Sequence, residues 1–164
     1  MKKIIIEKSP SADSRSAKCP VTVDTLKVST KSHIKDVTKG LDFLAQEIKD
    51  RGSLHDHTKM EHMEDFCNAL NSGKIKESKW YKKHITKERH HLKSNVPKDV
   101  NLIDVIEHVV DCTMAGLTRS GEVYDLDIDP NVLVLAVQNT SKLLKDNTKV
   151  VEPKKDILEE SVED

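Results

Sequence analysis

The sequence predicts an all-α fold, one helical domain of about five helices preceded by a short irregular N-terminal arm. The 164 residues are 36% hydrophobic but only 3% aromatic, so Ile, Leu, Val and Met have to form the core, which favours packed helices. The length suits one compact domain better than two. We therefore expect an arm over residues 1–23, a helical domain over 24–147 and an acidic, disordered tail over 148–164.

The arm contains one short apolar run, Ile4 to Ile6, which predicts a single strand before a series of turn-forming residues. A helix is then predicted from Thr25 or Ser29 to Lys49, and Gly52 is expected to end it. Its apolar stripe consists of Ile34, Val37, Leu41, Leu44, Ala45 and Ile48.

The dipeptide His55-Asp56 follows almost at once and is predicted to lie at a junction between two helices. Thr58 and Glu61 have the T-x-x-E spacing of a capping box, which can start the second helix. This helix is predicted to run to Leu70, because Asn, Ser and Gly follow it.

A third, strongly basic helix is predicted from Ile75 to Lys93. Adjacent histidines on a helix cannot both face one cleft, so we expect only one of His90 and His91 to line a site. His91 shares a helical face with His84 and is the better candidate, while His90 looks outward.

Asn101 is the predicted N-cap of the most regular helix, which runs to Leu117 and is followed by Gly121 as a stop. Asp129 and Pro130 combine an N-cap with a first-turn proline, which predicts the start of a last helix. Each of these helix boundaries is predicted from capping residues close to it in the sequence.

Charge and composition limit the classes of partner. The 27 basic and 28 acidic residues leave a net charge of −1, so no global basic field attracts nucleic acid, and aromatic stacking platforms are scarce. No segment approaches the roughly 20 apolar residues that span a bilayer, and the start lacks a signal-peptide pattern. The three cysteines have no zinc-ligand spacing and indicate reduced thiols. We expect a soluble, cytoplasmic protein.

Two histidines and two aspartates form the candidate metal site. His33 lies on the flank of the first helix, and periodicity permits Asp111, with Glu107 one turn earlier, to reach a site beside the core. Together with His55 and Asp56 they would suit one divalent transition metal such as Mn, Fe, Co, Ni or Zn. Periodicity does not require this arrangement, since each of these side chains could also be solvated.

The order His33, His55-Asp56 and Asp111 resembles the HD-domain superfamily of metal-dependent phosphohydrolases. The runs HDHTKMEHMEDF, RHHLKS and VNLIDVIEHVVDCTMAGLTRSGEVY, with the opening KKIIIEKSPSADSR, resemble an uncharacterised family of small HD-like proteins of tailed phages and bacteria. The resemblance covers Met1 to about Val151. It implies that the two histidines and two aspartates bind the metal, and that a phage-encoded protein would act in the host cytoplasm. Some HD relatives hold two metal ions, which implies that His90 or His91 could complete a second metal site, although the longer histidine series expected for one is not evident in this sequence.

The activity that the resemblance implies is hydrolysis at phosphorus, with a nucleotide or a related phosphoester as the small phosphorylated substrate. Lys59, three residues after Asp56, is the first candidate to offset charge on the phosphoryl oxygens. Glu107 is expected to act as a general base or to hold a ligand histidine. Further candidates for substrate contact are Arg89, His90, His91, Arg119 and Arg15.

Two alternatives stay open. The chain could be a non-catalytic HD-like protein that holds a metal and binds a phosphorylated ligand or a host protein, and a homodimer is compatible with either function. Lys59 and Glu107 are equally compatible with exposed structural positions. A nucleic-acid surface over residues 74–93 would require strongly salt-dependent binding, which the near-neutral charge does not favour.

Overall fold

Helices dominate the computed structural model, which describes residues 3–9 and 21–153, and this confirms the predicted all-α class. Contacts divide the chain into two compact units, residues 1–43 with 147–164 and residues 44–146. The strands are β1 (Ile4–Glu7) and β2 (Thr148–Val151). The helices are α1 (Val23–Leu54), α2 (His57–Glu61), α3 (Met63–Asn71), α4 (Lys79–Lys87), α5 (Leu102–Ser120) and α6 (Pro130–Asn147), with a 3-10 turn at Ile75–Glu77.

In the first unit, β1 and β2 form a parallel pair with Ile4 opposite Thr148 and Glu7 opposite Val151. Lys39 of α1 donates to the carbonyl oxygen of Ile5 at 2.7 Å. The strand predicted at the start of the chain is therefore present as β1. The strand β2 occupies the first four residues of the tail that was predicted to be disordered. Its sequence, Thr-Lys-Val-Val, gives no local signal of a partner strand that is more than 140 residues away.

In the second unit, α1 continues through Gly52, where the sequence predicted its end. The helix predicted from Thr58 to Leu70 is divided into α2 and α3 at His62, which has φ −130° and ψ 45°. The predicted capping box does not form, since Asp56 is the N-cap of α2 and Thr58 lies within the helix. His55 and Asp56 nevertheless occupy the predicted helix junction, between α1 and α2.

The helix α4 ends at Lys87, six residues earlier than predicted. Glu88 leaves the helix with φ −83° and ψ 109°, and its carboxylate accepts hydrogen bonds from the Thr58 amide at 2.9 Å and hydroxyl at 2.6 Å. Turns follow, in which the amide of Leu92 donates to the carbonyl of His90. The histidine pair is therefore not helical.

The helices α5 and α6 begin as their caps predict. Asn101 and Asp104 form a reciprocal capping box, and Gly121 ends α5 with φ 77°. Asp129 accepts from the amide of Asn131 in the first turn of α6. The core cluster of this unit consists of Leu92, Val100 and Ala136 with Leu102, Val105, Ile128 and Val132. Across residues 3–9 and 21–153, the helices are too short or too polar to cross a lipid bilayer.

Gly116 allows α5 to lie against the loop that follows it. A Cβ at this position would overlap the carbonyl oxygen of Glu122 and lie 2.7 Å from the amide nitrogen of Tyr124. We expect Gly116→Ala to lower the free energy of unfolding by about 1–3 kcal/mol, because the loop backbone has to move. Chemical denaturation measures this, with Gly52→Ala as the control, since a Cβ there meets nothing within 4 Å. Equal stabilities of the two variants would contradict the prediction.

Candidate metal centre

Six side chains that could ligate a metal meet in the second unit. They form two groups of three, in each of which the ligand atoms lie within 4.8 Å of one another. The first group is His55, His90 and Asp111, and the second is Asp56, His84 and His91. They come from the α1–α2 junction, from α4, from the turn after α4 and from α5. Segments distant in sequence are thus brought to one point by the fold.

Asp56 belongs to the second group and also reaches the first. Its Oδ2 is 3.5 Å from His55 Nε2, and its Oδ1 is 3.5 Å from His84 Nε2. His55 Nε2 is also 3.5 Å from Asp111 Oδ1. Ligands bonded to one ion at about 2.1 Å are roughly 3–3.5 Å apart, so these separations suit a shared ion. Because Asp56 offers one oxygen to each group, its carboxylate is placed to bridge two ions.

Two buried polar atoms in this centre lack a hydrogen-bond partner among the described residues, Asp56 Oδ1 and His90 Nε2. They lie 3.8 Å apart. Buried polar atoms are nearly always paired, and an unpaired one costs about 1–3 kcal/mol. A cation between them would satisfy both atoms. The residues present therefore fit a bound metal ion.

Glu107 orients the two histidines of the first group. Its Oε1 accepts hydrogen bonds from His55 Nδ1 at 2.9 Å and from His90 Nδ1 at 3.1 Å, which leaves both Nε2 atoms for ligation. Burial raises the pKa of Glu107, but these hydrogen bonds outweigh it and hold the pKa at about 2. So acidic a group is a weak base at neutral pH. The geometry thus favours the second predicted role of Glu107, holding ligand histidines.

A buried threonine orients His84 in the second group. The Nδ1 of His84 lies 2.7 Å from the Thr58 hydroxyl, which donates in turn to Glu88 at 2.6 Å. Since the hydroxyl hydrogen goes to Glu88, Nδ1 donates to Thr58, and the lone pair of His84 Nε2 points toward His91 Nε2, 2.8 Å away. A metal ion would replace this contact between the two Nε2 atoms. Trp80 stacks on the imidazole ring of His84, with 4.8 Å between the two ring centroids. This relay could not be predicted from the sequence, because Thr58 and Glu88 are 30 residues apart.

Thr58→Val should weaken metal binding by the second group about 10- to 100-fold, because it removes the hydroxyl that fixes the His84 ring. Thr58→Ser keeps the hydroxyl and should retain wild-type affinity. Competition against a chromophoric chelator measures both, with circular dichroism to establish that each variant is folded. Equal affinities of the valine and serine variants would show that Thr58 does not position the ligand.

The protonation of the histidines differs across the centre. Hydrogen bonds to Asp111 and then Glu107 raise the pKa of His55 to about 10. Burial, together with His90 and His84, lowers the pKa of His91 to about 4. His91 is therefore neutral and ready to ligate, whereas metal binding at His55 has to displace a proton from among carboxylates.

A cleft of about 490 Å³ adjoins the first group, between the last turns of α1 and the length of α5. Its apolar wall includes Ile48, Ile103, Ile106, Val110 and Met114. Arg119 lines the cleft and is exposed, with its Nη1 donating to the Ala115 carbonyl oxygen. Lys59 pairs with Asp56. Two predicted cationic residues are thus available near the ligands and the cleft.

The other predicted residues have varied positions. His33 lies on the part of α1 that belongs to the first unit, is exposed and is in neither group, so its ligand role stays a prediction. Arg89 does not line the cleft, since its guanidinium forms two 2.8 Å hydrogen bonds with Asp104. Arg15 lies outside the described residues.

The expectation that only one histidine of the pair could face the site is wrong. His90 belongs to the first group and His91 to the second. It assumed a continuous helix, but α4 ends at Lys87 and the pair lies in a turn, where neighbouring side chains can diverge around one site. With His84, the pair adds three histidines to the candidate ligands.

No protein-family model matches the chain. The curated proteins and the solved structures that were compared with it gave no significant match either. A functional assignment therefore has to come from the chemistry of the metal centre and its cleft.

Proposed function

We propose that this protein is a metal-dependent phosphohydrolase that acts on a nucleotide or a related phosphoester, the activity implied by its resemblance to HD-domain enzymes. The observation that carries the proposal is that the Asp56 carboxylate, a member of the second group, also lies 3.5 Å from His55 Nε2 of the first group. Its Oδ1 is unpaired and faces the unpaired His90 Nε2. A carboxylate that can bridge two ions beside an open cleft is an arrangement that suits phosphoryl transfer to water.

The six residues of the two groups would hold one or two divalent ions. When bound, the metal would supply Lewis acidity toward a phosphoryl oxygen and would lower the pKa of the attacking water. Glu107 and Thr58 keep the histidine Nε2 atoms directed at the centre. Lys59 pairs with Asp56 and would supply positive charge near the metal centre, which can offset negative charge on the phosphoryl oxygens. Arg119 offers a further cation along the cleft.

Elemental analysis and a hydrolysis assay test the proposal together. We expect the purified protein to contain a stoichiometric transition metal and to release phosphate from phosphoesters in the presence of Mn²⁺, Co²⁺ or Ni²⁺, with loss of activity on chelation. His33→Ala in the same assays tests the ligand predicted in the first unit. A wild-type protein that binds no metal would overturn the proposal. Tight ligand binding without turnover across a broad panel would favour the non-catalytic alternative.

A further inference from the structure

Arg51 lines the cleft one helical turn before His55 and was not among the predicted site residues. Its Nη1 donates to Asp104 at 2.8 Å and to Glu107 at 3.4 Å. Asp104 is fully buried, and Arg89 holds its carboxylate as well, so the anchor of this guanidinium is rigid. Arg51 is four residues before His55, and both residues line the cleft where α1 ends. That spacing was the signal that could have identified Arg51.

The guanidinium of Arg51 has N–H donors that its hydrogen bonds within the described residues do not use. Its hydrogen bonds to the described residues both use Nη1, and its side chain is 27% exposed. A guanidinium has five N–H donors in a planar fork, so Nε and Nη2 remain for an anion. A phosphoryl group matches this fork, since two of its oxygens can accept parallel hydrogen bonds.

Gly52 lies beside Arg51 and also lines the cleft. It is inside α1, where glycine is less favourable than alanine. A Cβ there would meet no atom within 4 Å, so packing within the protein does not require a glycine. A side chain would instead take space from the cleft next to His55. The chain thus forgoes helix stability at the wall that faces the candidate ligands.

We propose that Arg51 and Gly52 form the phosphoryl-binding position of this cleft. The Arg51 guanidinium donates to the phosphoryl oxygens, and the missing side chain of Gly52 leaves the space that the phosphoryl group occupies. This inference rests on the proposed function, because it places the phosphorus between α1 and the metal centre. It assigns phosphate recognition to the residues just before the His55-Asp56 dipeptide rather than to the basic segment over residues 74–93.

Calorimetric titration of the Mn²⁺-loaded protein with inorganic phosphate tests this position. We expect Arg51→Lys to weaken the Kd about tenfold, because an ammonium group cannot form the paired hydrogen bonds. Gly52→Ala should also weaken the Kd about tenfold while raising the Tm by about 2–4 °C through better helix propensity. Ser53→Ala is the matched control, since Ser53 is an exposed neighbour on α1 outside the cleft, and it should leave the Kd unchanged.

The metal content of each protein distinguishes a failure of the Arg51 and Gly52 assignment from a failure of the phosphohydrolase proposal. Variants that retain their metal and bind phosphate as tightly as wild type would overturn the assignment of Arg51 and Gly52 and leave the phosphohydrolase proposal standing. Loaded wild-type protein that binds no phosphate would also overturn the assignment. Wild-type protein that binds no Mn²⁺ would overturn both. If Gly52→Ala raises the Tm and weakens phosphate binding, the weaker binding cannot result from unfolding. This variant therefore shows whether weaker binding in Arg51→Lys reflects the cleft or a loss of stability.

Discussion

Asp56→Ala is expected to remove bound metal from both groups of ligands and to reduce phosphoester hydrolysis on the order of 10³-fold or more. Asp56 is the residue with an oxygen 3.5 Å from a histidine nitrogen in each group, so its loss affects both at once. Metal-ion catalysis contributes several kcal/mol of transition-state stabilisation, and each 1.4 kcal/mol is a tenfold change in rate. Elemental analysis and phosphate release measure the two effects.

The backbone at Asp56 requires a second variant. Its φ of 56° and ψ of 22° are in the left-handed region, which aspartate and asparagine tolerate better than alanine. Asp56→Asn keeps that tolerance but loses the charge and one ligating oxygen, so it should also lose metal. Glu64→Ala, at an exposed acidic residue of α3, is the control and should retain both metal and activity. Full metal content in both Asp56 variants would refute the bridging role.

Asp104→Ala is expected to have the largest effect on stability, a loss of about 3 kcal/mol in the free energy of unfolding. Its side chain is fully buried and accepts hydrogen bonds from Arg51, Arg89 and the amide of Asn101. Removing one partner of a buried ion pair costs about 3–5 kcal/mol, and we take the lower value because both arginines are partly exposed. Denaturant titration followed by circular dichroism measures the loss.

Asp99→Ala is the matched control for this network. Asp99 also pairs with Arg89, at 3.0 Å, but its side chain is 79% exposed. Exposed ion pairs contribute about 0–1 kcal/mol, so this variant should stay within that range of wild type. A loss of under 1 kcal/mol for Asp104→Ala would mean that the two arginines find equivalent partners in water, and that the network does not hold Arg51 in place.

The features predicted correctly from the sequence are those with a local signal. The N-cap Asn101, the stop at Gly121 and the Asp129-Pro130 start depend on residues within one helical turn, and all three are present. The helix junction at His55-Asp56 is equally local. Three of the six residues in the two groups, His55, Asp56 and Asp111, had been predicted as metal ligands from the sequence.

The remaining part of the centre depends on contacts between distant segments. The end of α4 is fixed by the hydrogen bonds between Thr58 and Glu88, which a helical reading of residues 75–93 could not include. That early end brings His90 and His91 into the site together. Arg51 is held by Asp104, a residue 53 positions away, and only the folded chain joins them. Periodicity describes one helix face and carries no information on such partners.

The non-helical position of the histidine pair has a consequence for the dynamics of the turn between α4 and α5. An ion ligated by His91 with His84 of α4, and another by His90 with Asp111 of α5, would link two adjacent residues of this turn to both flanking helices. Amide hydrogens of residues 88–95 should then exchange with deuterated solvent more slowly after metal is added, as local opening becomes costlier. A turn segment outside the helices and strands would thus be rigidified by the ions that it binds.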